Sequence, residues 1–171
     1  MNFLELAKRR FSVRQFEPKK IEEDKLLKIL EAGRVAPTAA NYQPQRIIVV
    51  QGDAGRAKLK KAANVYDAPL AVIVCADRSE AWKRPFDGKD MVDIDATIVT
   101  DQMMEATELG LGTVWICYFR PDVLKKEFNI PDNTEPVNIL AIGYPKGEIA
   151  SPDRHDQARK PMKETVFYES F

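Results

Sequence analysis

Residues 70–76 read LAVIVCA, an unbroken apolar run held between Pro69 and Asp77. A strand with one face in water alternates apolar and polar residues, whereas a strand covered on both faces has no exposed side to mark with polar ones. The run therefore predicts a central strand with packed layers above and below it. The rest of the chain has to supply those layers, and its patterning does so. Residues 47–50, 113–117 and 137–142 are shorter apolar runs expected as further strands. Asn2 and Glu5 form a capping pair for a first helix ending at Arg9 and Arg10. Glu22, Glu23 and Asp24 suit the positive end of a second, whose stripe is Leu26, Ile29, Leu30 and Gly33 and which Pro37 ends. Residues 53–63 predict an exposed, lysine-rich helix, and 90–109 the longest and most central one; Pro121 suits the first turn of a helix reaching Phe128. Interleaved helices and strands place the fold in the α+β or α/β class. The length favours one domain over residues 1–171, and 145–171 forms a C-terminal extension with little periodicity.

Charge and residue inventory narrow the function. Lys plus Arg and Asp plus Glu are balanced at 26 each, which removes the whole-chain argument for a nucleic-acid binder. Charges inside MNFLELAKRRF and the lack of a long apolar stretch argue against a secretory signal or a membrane span, so the protein reads as cytoplasmic. Cys75 and Cys117 lie in separate apolar runs with no CxxC spacing, and buried thiols are expected rather than a disulfide or metal ligands. His155, the sole histidine, sits in the polar stretch SPDRHDQARK, so neither a zinc site nor a Ser-His-Asp triad is expected. Gly110 and Gly112 lack the third glycine of a dinucleotide fingerprint and follow a helix; a helix cap and turn is their expected role. No side chain stands out as a catalytic centre, and an enzymatic reading must borrow its chemistry from a bound cofactor. Residues 78–89 are long and aperiodic, as expected of a lid.

RRFSVRQF carries the most specific chemistry. At a helix-to-extended transition Ser12 and Arg14 share a face while the helix end delivers Arg10 beside them. Guanidinium groups grip phosphate oxygens bidentately and stay charged at any ordinary pH, so the segment forms a workable anion clamp; taken alone it also reads as a solvated basic patch.

RRFSVRQF, APTAANYQP, ELGLGTVWICYF, ILAIGYP and ARKP, in that order and over nearly the full length, resemble the nitroreductase family of flavin enzymes. The resemblance implies a mixed sheet flanked by helices, and a homodimer holding two FMN molecules at the subunit interface, with the C-terminal extension docking on the partner. It implies that Arg10 and Ser12 lie near the FMN phosphate and ribityl chain, Arg14 near the pyrimidine ring, and Arg159, with Lys160 as the alternative, at the phosphate. Pro37, Thr38, Ala39 and Asn41 match the loop that covers the flavin from the other subunit, and Asn64 an amide contact. Ile116, Cys117 and Tyr118 match the strand end against the flavin N5 edge, where backbone N–H groups donate; one branch of the family has Glu-Gly where this chain has Cys-Tyr. Trp82 and Phe86 either shape the substrate slot or pack under the loop. The implied activity is reduction of nitroaromatic, quinone-like or other electron-poor acceptors by NADH or NADPH, with ping-pong hydride transfer through flavin N5. A specialised branch (dehalogenation or oxygen-dependent flavin chemistry) and a non-catalytic flavin-binding protein are the alternatives.

Overall fold

In the computed structural model, which describes residues 2–171, the apolar run becomes strand β2 (Leu70–Asp77), buried along its whole length. It pairs antiparallel with β1 (Gln45–Val50) on one side and with β4 (Thr134–Gly143) on the other. The edge strand β3 (Gly112–Ile116) completes a four-stranded sheet of order β1-β2-β4-β3. All pairings between these strands are antiparallel. The parallel component of the expected mixed sheet is a single bridge between Ser12 and Thr113. Pro136 in β4 lacks an N–H for the ladder, and the register shifts opposite it, between Val74 and Cys75; a bulge is where a strand tolerates proline.

Successive residues of β2 serve opposite faces, which explains the lack of alternation. Leu70, Val72 and Val74 join one core with Leu26, Ile29, Ile98 and Val99. Ala71, Ile73 and Cys75 join the other with Leu59, Leu124 and Ile130. The first face is covered by α2 (Glu23–Val35) and by a helical run made of α4 (Val92–Asp95), a 3-10 turn (Ala96–Ile98) and α5 (Val99–Glu108). The second is covered by α3 (Asp53–Lys60) and α6 (Pro121–Phe128). The long helix expected over 90–109 is thus helical from Val92, with a tightened turn where Asp95 and Ala96 meet the sheet. Gly110 has φ +77, the left-handed turn that releases the chain from α5. Gly112 does something else: a Cβ there would stand 2.5 Å from Val13 Cγ2, so glycine lets the N-terminal segment press against β3.

That segment follows α1 (Phe3–Arg9), whose capping box is present: Asn2 Oδ1 accepts from Glu5 N–H at 2.9 Å and Glu5 Oε2 accepts from Asn2 N–H at 3.3 Å. No residue of α1 is buried. The chain after it is stitched to the sheet edge by Val13 N–H to Thr113 C=O (2.9 Å), Glu17 N–H to Tyr144 C=O (2.9 Å) and Lys146 N–H to Gln15 C=O (2.9 Å). The C-terminal part adds a short helix α7 (His155–Ala158) and then residues exposed to the end of the chain. Among the described residues no helix is long and apolar enough to cross a membrane.

Candidate functional site

The two ends of the chain meet beside the last turn of α1. Arg154 donates from Nη1 to Lys8 C=O (3.0 Å) and Ser151 C=O (2.8 Å), and from Nη2 to Arg10 C=O (2.5 Å). His155 Nε2 lies 3.2 Å from the same Lys8 oxygen. The final carbonyls of a helix have no partner within it and carry partial negative charge, so a guanidinium is well suited to tie them down. The strap carries Arg159 in with it. A cavity of about 180 Å³ results, lined by Arg10, Phe11, Ser12, Arg154, His155, Ala158 and Arg159. Three guanidiniums, an imidazole and a hydroxyl line it, and no carboxylate does. Partial burial, then the like charges of Arg154 and Arg159, holds the Arg10 guanidinium below the usual arginine value. These cations repel one another, and an anion among them relieves the repulsion.

A larger cavity, about 300 Å³, lies between α3 and residues 65–68, but its cations are matched in place: Arg56 pairs with Asp53, and Lys60 with Asp67 at 2.6 Å. Charge already neutralised inside the chain leaves no call for an outside anion. Among the described residues no cluster of three or more His, Cys, Asp or Glu is arranged to hold a metal ion.

The other residues singled out from the sequence fall into three places. Arg14 is exposed beyond Ser12, its guanidinium 5.9 Å from the centre of the Tyr66 ring. Asn64 faces the same turn: its Oδ1 accepts from Tyr66 N–H at 2.9 Å, holding a bend in which Tyr66 and Asp67 both have positive φ. Lys160 does not line the arginine cavity, and Arg159 does.

Pro37, Thr38, Ala39 and Asn41 form a tight turn between α2 and β1. Asn41 N–H donates to Thr38 C=O (3.0 Å), and Gln43 N–H to Thr38 Oγ1 (3.1 Å). Ala39 N–H donates to Asp95 Oδ1 at 2.7 Å. Ile116 is buried as the last residue of β3, while Cys117 and Tyr118 beyond it are exposed, Tyr118 at 96%. The expectation of two buried thiols is corrected here: Cys75 is buried and Cys117 is not, because the edge strand ends one residue before it. Burial pushes the Cys75 thiol up to about 12.

The 78–89 segment is more tightly held than an aperiodic stretch suggests. Lys83 and Asp90 form an antiparallel bridge, Arg78 pairs with both oxygens of Asp90 (2.9 and 3.1 Å), and Arg84 pairs with Asp87. Trp82 is half-buried at its base and Phe86 stands at the tip, 94% exposed. Neither lines the arginine cavity.

Sequence reasoning missed Arg154 and Asp95 and set His155 aside. Arg154 and His155 act on backbone oxygens at the other end of the chain, which no local pattern signals. Asp95 did leave a sign, since it takes the core-facing position in a helical repeat with Val92, Val99 and Gln102.

The model of the Nitroreductase family matches residues 7–65 and 56–144. A solved nitroreductase family protein from Clostridium difficile is 55% identical, with a TM-score of 0.97 and coverage of 100% of both chains. An FMN-dependent nitroreductase from Clostridium difficile is 25% identical, with a TM-score of 0.81, covering 99% of this chain and 100% of that one. An FMN reductase [NAD(P)H] of Bacillus subtilis is 29% identical over 174 residues, covering 90% of this chain and 70% of that protein.

Proposed function

Because the chain belongs to the nitroreductase family, we propose that it is an FMN-dependent oxidoreductase that takes electrons from NADH or NADPH and reduces nitroaromatic, quinone-like or similar electron-poor acceptors. The arginine cavity carries the reading. A phosphate monoester brings negative charge and several acceptor oxygens. The cavity offers three guanidiniums and the Ser12 hydroxyl with no competing carboxylate, a donor set that fits it. Arg10, Ser12 and Arg159 would hold the phosphate, and Arg154 would hold Arg159 near it.

Bound FMN supplies the hydride relay, from the nicotinamide donor to the acceptor in alternating half-reactions. This chain's residues bind and orient it. From Thr113, whose C=O accepts from Val13, the edge strand β3 runs about 10 Å to its last residue, Ile116, at roughly 3.3 Å per residue. A ligand anchored at Ser12 is thus led along β3 toward the exposed end at Cys117 and Tyr118. Beyond the Ser12 bridge at Thr113, the backbone directs donors to the open edge at alternate residues, beginning with Trp115. Arg14, on the same extended face as Ser12, places a fixed cation beside the ring and favours its electron-rich state. Asn64 shapes the neighbouring turn.

A second copy of the chain completes the site in this reading. The Pro37–Asn41 turn is tied to Asp95, one turn into the helical run, whereas Ser12 is tied to Thr113, just past its end. Some 14 residues of helix at 1.5 Å each put these ends about 20 Å apart. The turn also leads into β1, at the opposite sheet edge from β3. In a homodimer the turn of one protomer covers the flavin of the other, and exposed Met162, Phe167, Tyr168 and Phe171 of the extension dock on the partner. Trp82 and Phe86 are assigned to the acceptor side. Dependence on the nicotinamide pool places the enzyme in the cytoplasm.

Mixing the purified protein with FMN tests the reading. It should turn yellow, bleach anaerobically on addition of NADH or NADPH, and recover its colour with a nitroaromatic or a quinone. Failure to retain FMN overturns the flavin reading; retention without bleaching leaves a binding protein and overturns the enzymatic one.

A further inference from the structure

We propose that Asp95 is a positioning residue, holding the 38–43 turn in the shape that lets it cover the flavin. The inference rests on the flavin reading above. Asp95 is wholly buried, in company with Val92, Ala96, Ile98 and Val99. Its Oδ1 accepts from Ala39 N–H at 2.7 Å, while Oδ2 has no partner within the chain. For packing alone this is a poor choice. A buried acceptor without a partner destabilises the folded state, and a well-packed apolar side chain of similar size would not.

The turn it holds shows what the carboxyl group achieves. Ala40, Asn41 and Gln43 have φ of 49°, 59° and 52°. Side chains of L-residues disfavour the left-handed region, so successive residues stay there only where outside contacts over-determine the backbone. Inside the turn, Tyr42 N–H donates to Ala39 C=O (3.1 Å) and Asn41 N–H to Thr38 C=O (3.0 Å). The trailing end is anchored where Asp77 N–H donates to Pro44 C=O at 2.8 Å. The leading end is anchored by Asp95. Because this carboxyl group is fixed in the core, it transmits the rigidity of the helical run to a loop on the surface. It touches no substrate in this account and acts through Ala39.

Two substitutions approach the bond from opposite sides. Asp95→Leu removes the acceptor and leaves an apolar core. Ala39→Pro removes the donor without altering the core, after Thr38, whose extended backbone (φ −127°, ψ 160°) accommodates a following proline. Asp95→Asn keeps an acceptor oxygen. The measurements are FMN affinity by fluorescence titration, quenching of bound flavin by iodide, and the melting midpoint of the apoprotein. We expect Asp95→Leu and Ala39→Pro each to weaken FMN binding about tenfold, the scale of one lost hydrogen bond, and to raise iodide quenching. Asp95→Asn should return affinity to within about twofold of the original, and the apoprotein melting midpoint of Asp95→Leu should be unchanged or higher. Combining the Leu and Pro changes should add no further loss.

Wild-type affinity in both the Leu and Pro variants overturns the proposal. So does an Asn variant as weak as the Leu one, or additive losses in the double variant. If Asp95→Leu does not fold, Ala39→Pro decides alone by its affinity and quenching. A wild-type protein that takes up no FMN instead removes the flavin reading, an outcome distinct from all of these.

Discussion

The arginine cavity and the turn at residues 37–41 are both made from short, irregular segments, yet they are built in opposite ways. The cavity is assembled within one chain: α1 ends there, the extended segment at Ser12 leaves it, and Arg154 draws the C-terminal segment across to Arg10 and Lys8. The turn is held by bonds within itself and by Asp95, and among the described residues none of these bonds joins it to Arg10, Ser12 or Arg159. It is tied to the core through Asp95 and stands at the far end of the helical run from Ser12. In the proposed reading, charge recognition of a phosphate needs a few cations held together, which one chain would manage by joining its ends, whereas enclosing a flat ring needs two walls, which would come from two chains.

The largest effect should come from attacking the cavity. Arg10→Ala removes a charge-assisted contact worth about 1.5–3 kcal/mol, so FMN affinity should fall by roughly 10- to 150-fold. Affinity should also become less salt-dependent, while the far-UV spectrum stays unchanged. A fluorescence titration at two salt concentrations checks this; an unchanged affinity would break the assignment of the cavity to the phosphate.

A smaller effect is expected at the ring end. Arg14→Ala should weaken FMN binding and lower the flavin potential by tens of millivolts, where about 30 mV corresponds to 1.4 kcal/mol for two electrons. A potentiometric titration reads the shift. If the Arg10 variant moved the potential as far, and the Arg14 variant not at all, the distinction between anchoring and tuning cations would be lost.

The smallest effect tests the seam joining the N-terminal segment to the sheet. The Tyr144 hydroxyl donates to Glu22 Oε2 at 2.6 Å and leads the interactions, ahead of Glu22's backbone contact and Lys19, that hold the Glu22 carboxyl at about 2. The folded value is depressed, so the contribution is fully present above the unfolded value near 4.5 and fades as pH falls toward 2. Acid titration of the wild type and Glu22→Gln should show the wild-type advantage present at neutral pH and diminishing across that window. Equal curves for the two proteins would remove Glu22 from the seam.

What was legible from sequence follows the range of the forces involved. The doubly covered strand at 70–77 was readable because both faces demand apolar residues at successive positions. The Asn2–Glu5 cap and the Pro121 helix start were readable because their interactions close within a turn. The exposure of Cys117 was not, since an apolar neighbourhood in sequence does not reveal where an edge strand stops. Arg154 was invisible because its partners, Lys8 and Arg10, lie 146 and 144 residues away and contribute only backbone oxygen. Asp95 lies 56 residues from the amide it holds. Arg10 and Ser12 were legible as part of an anion clamp where the first helix gives way to extended chain, Arg159 only through resemblance, and the structure brings the three to one cavity; it leaves Lys160 outside.

In the proposed dimer one chain anchors the flavin and a second encloses it. Size-exclusion chromatography with light scattering and flavin absorbance, run across a dilution series, tests it most directly. A dimer carrying one FMN per chain is expected, with flavin released as dilution separates the protomers. A monomer that retains FMN as tightly as the concentrated protein would contradict it.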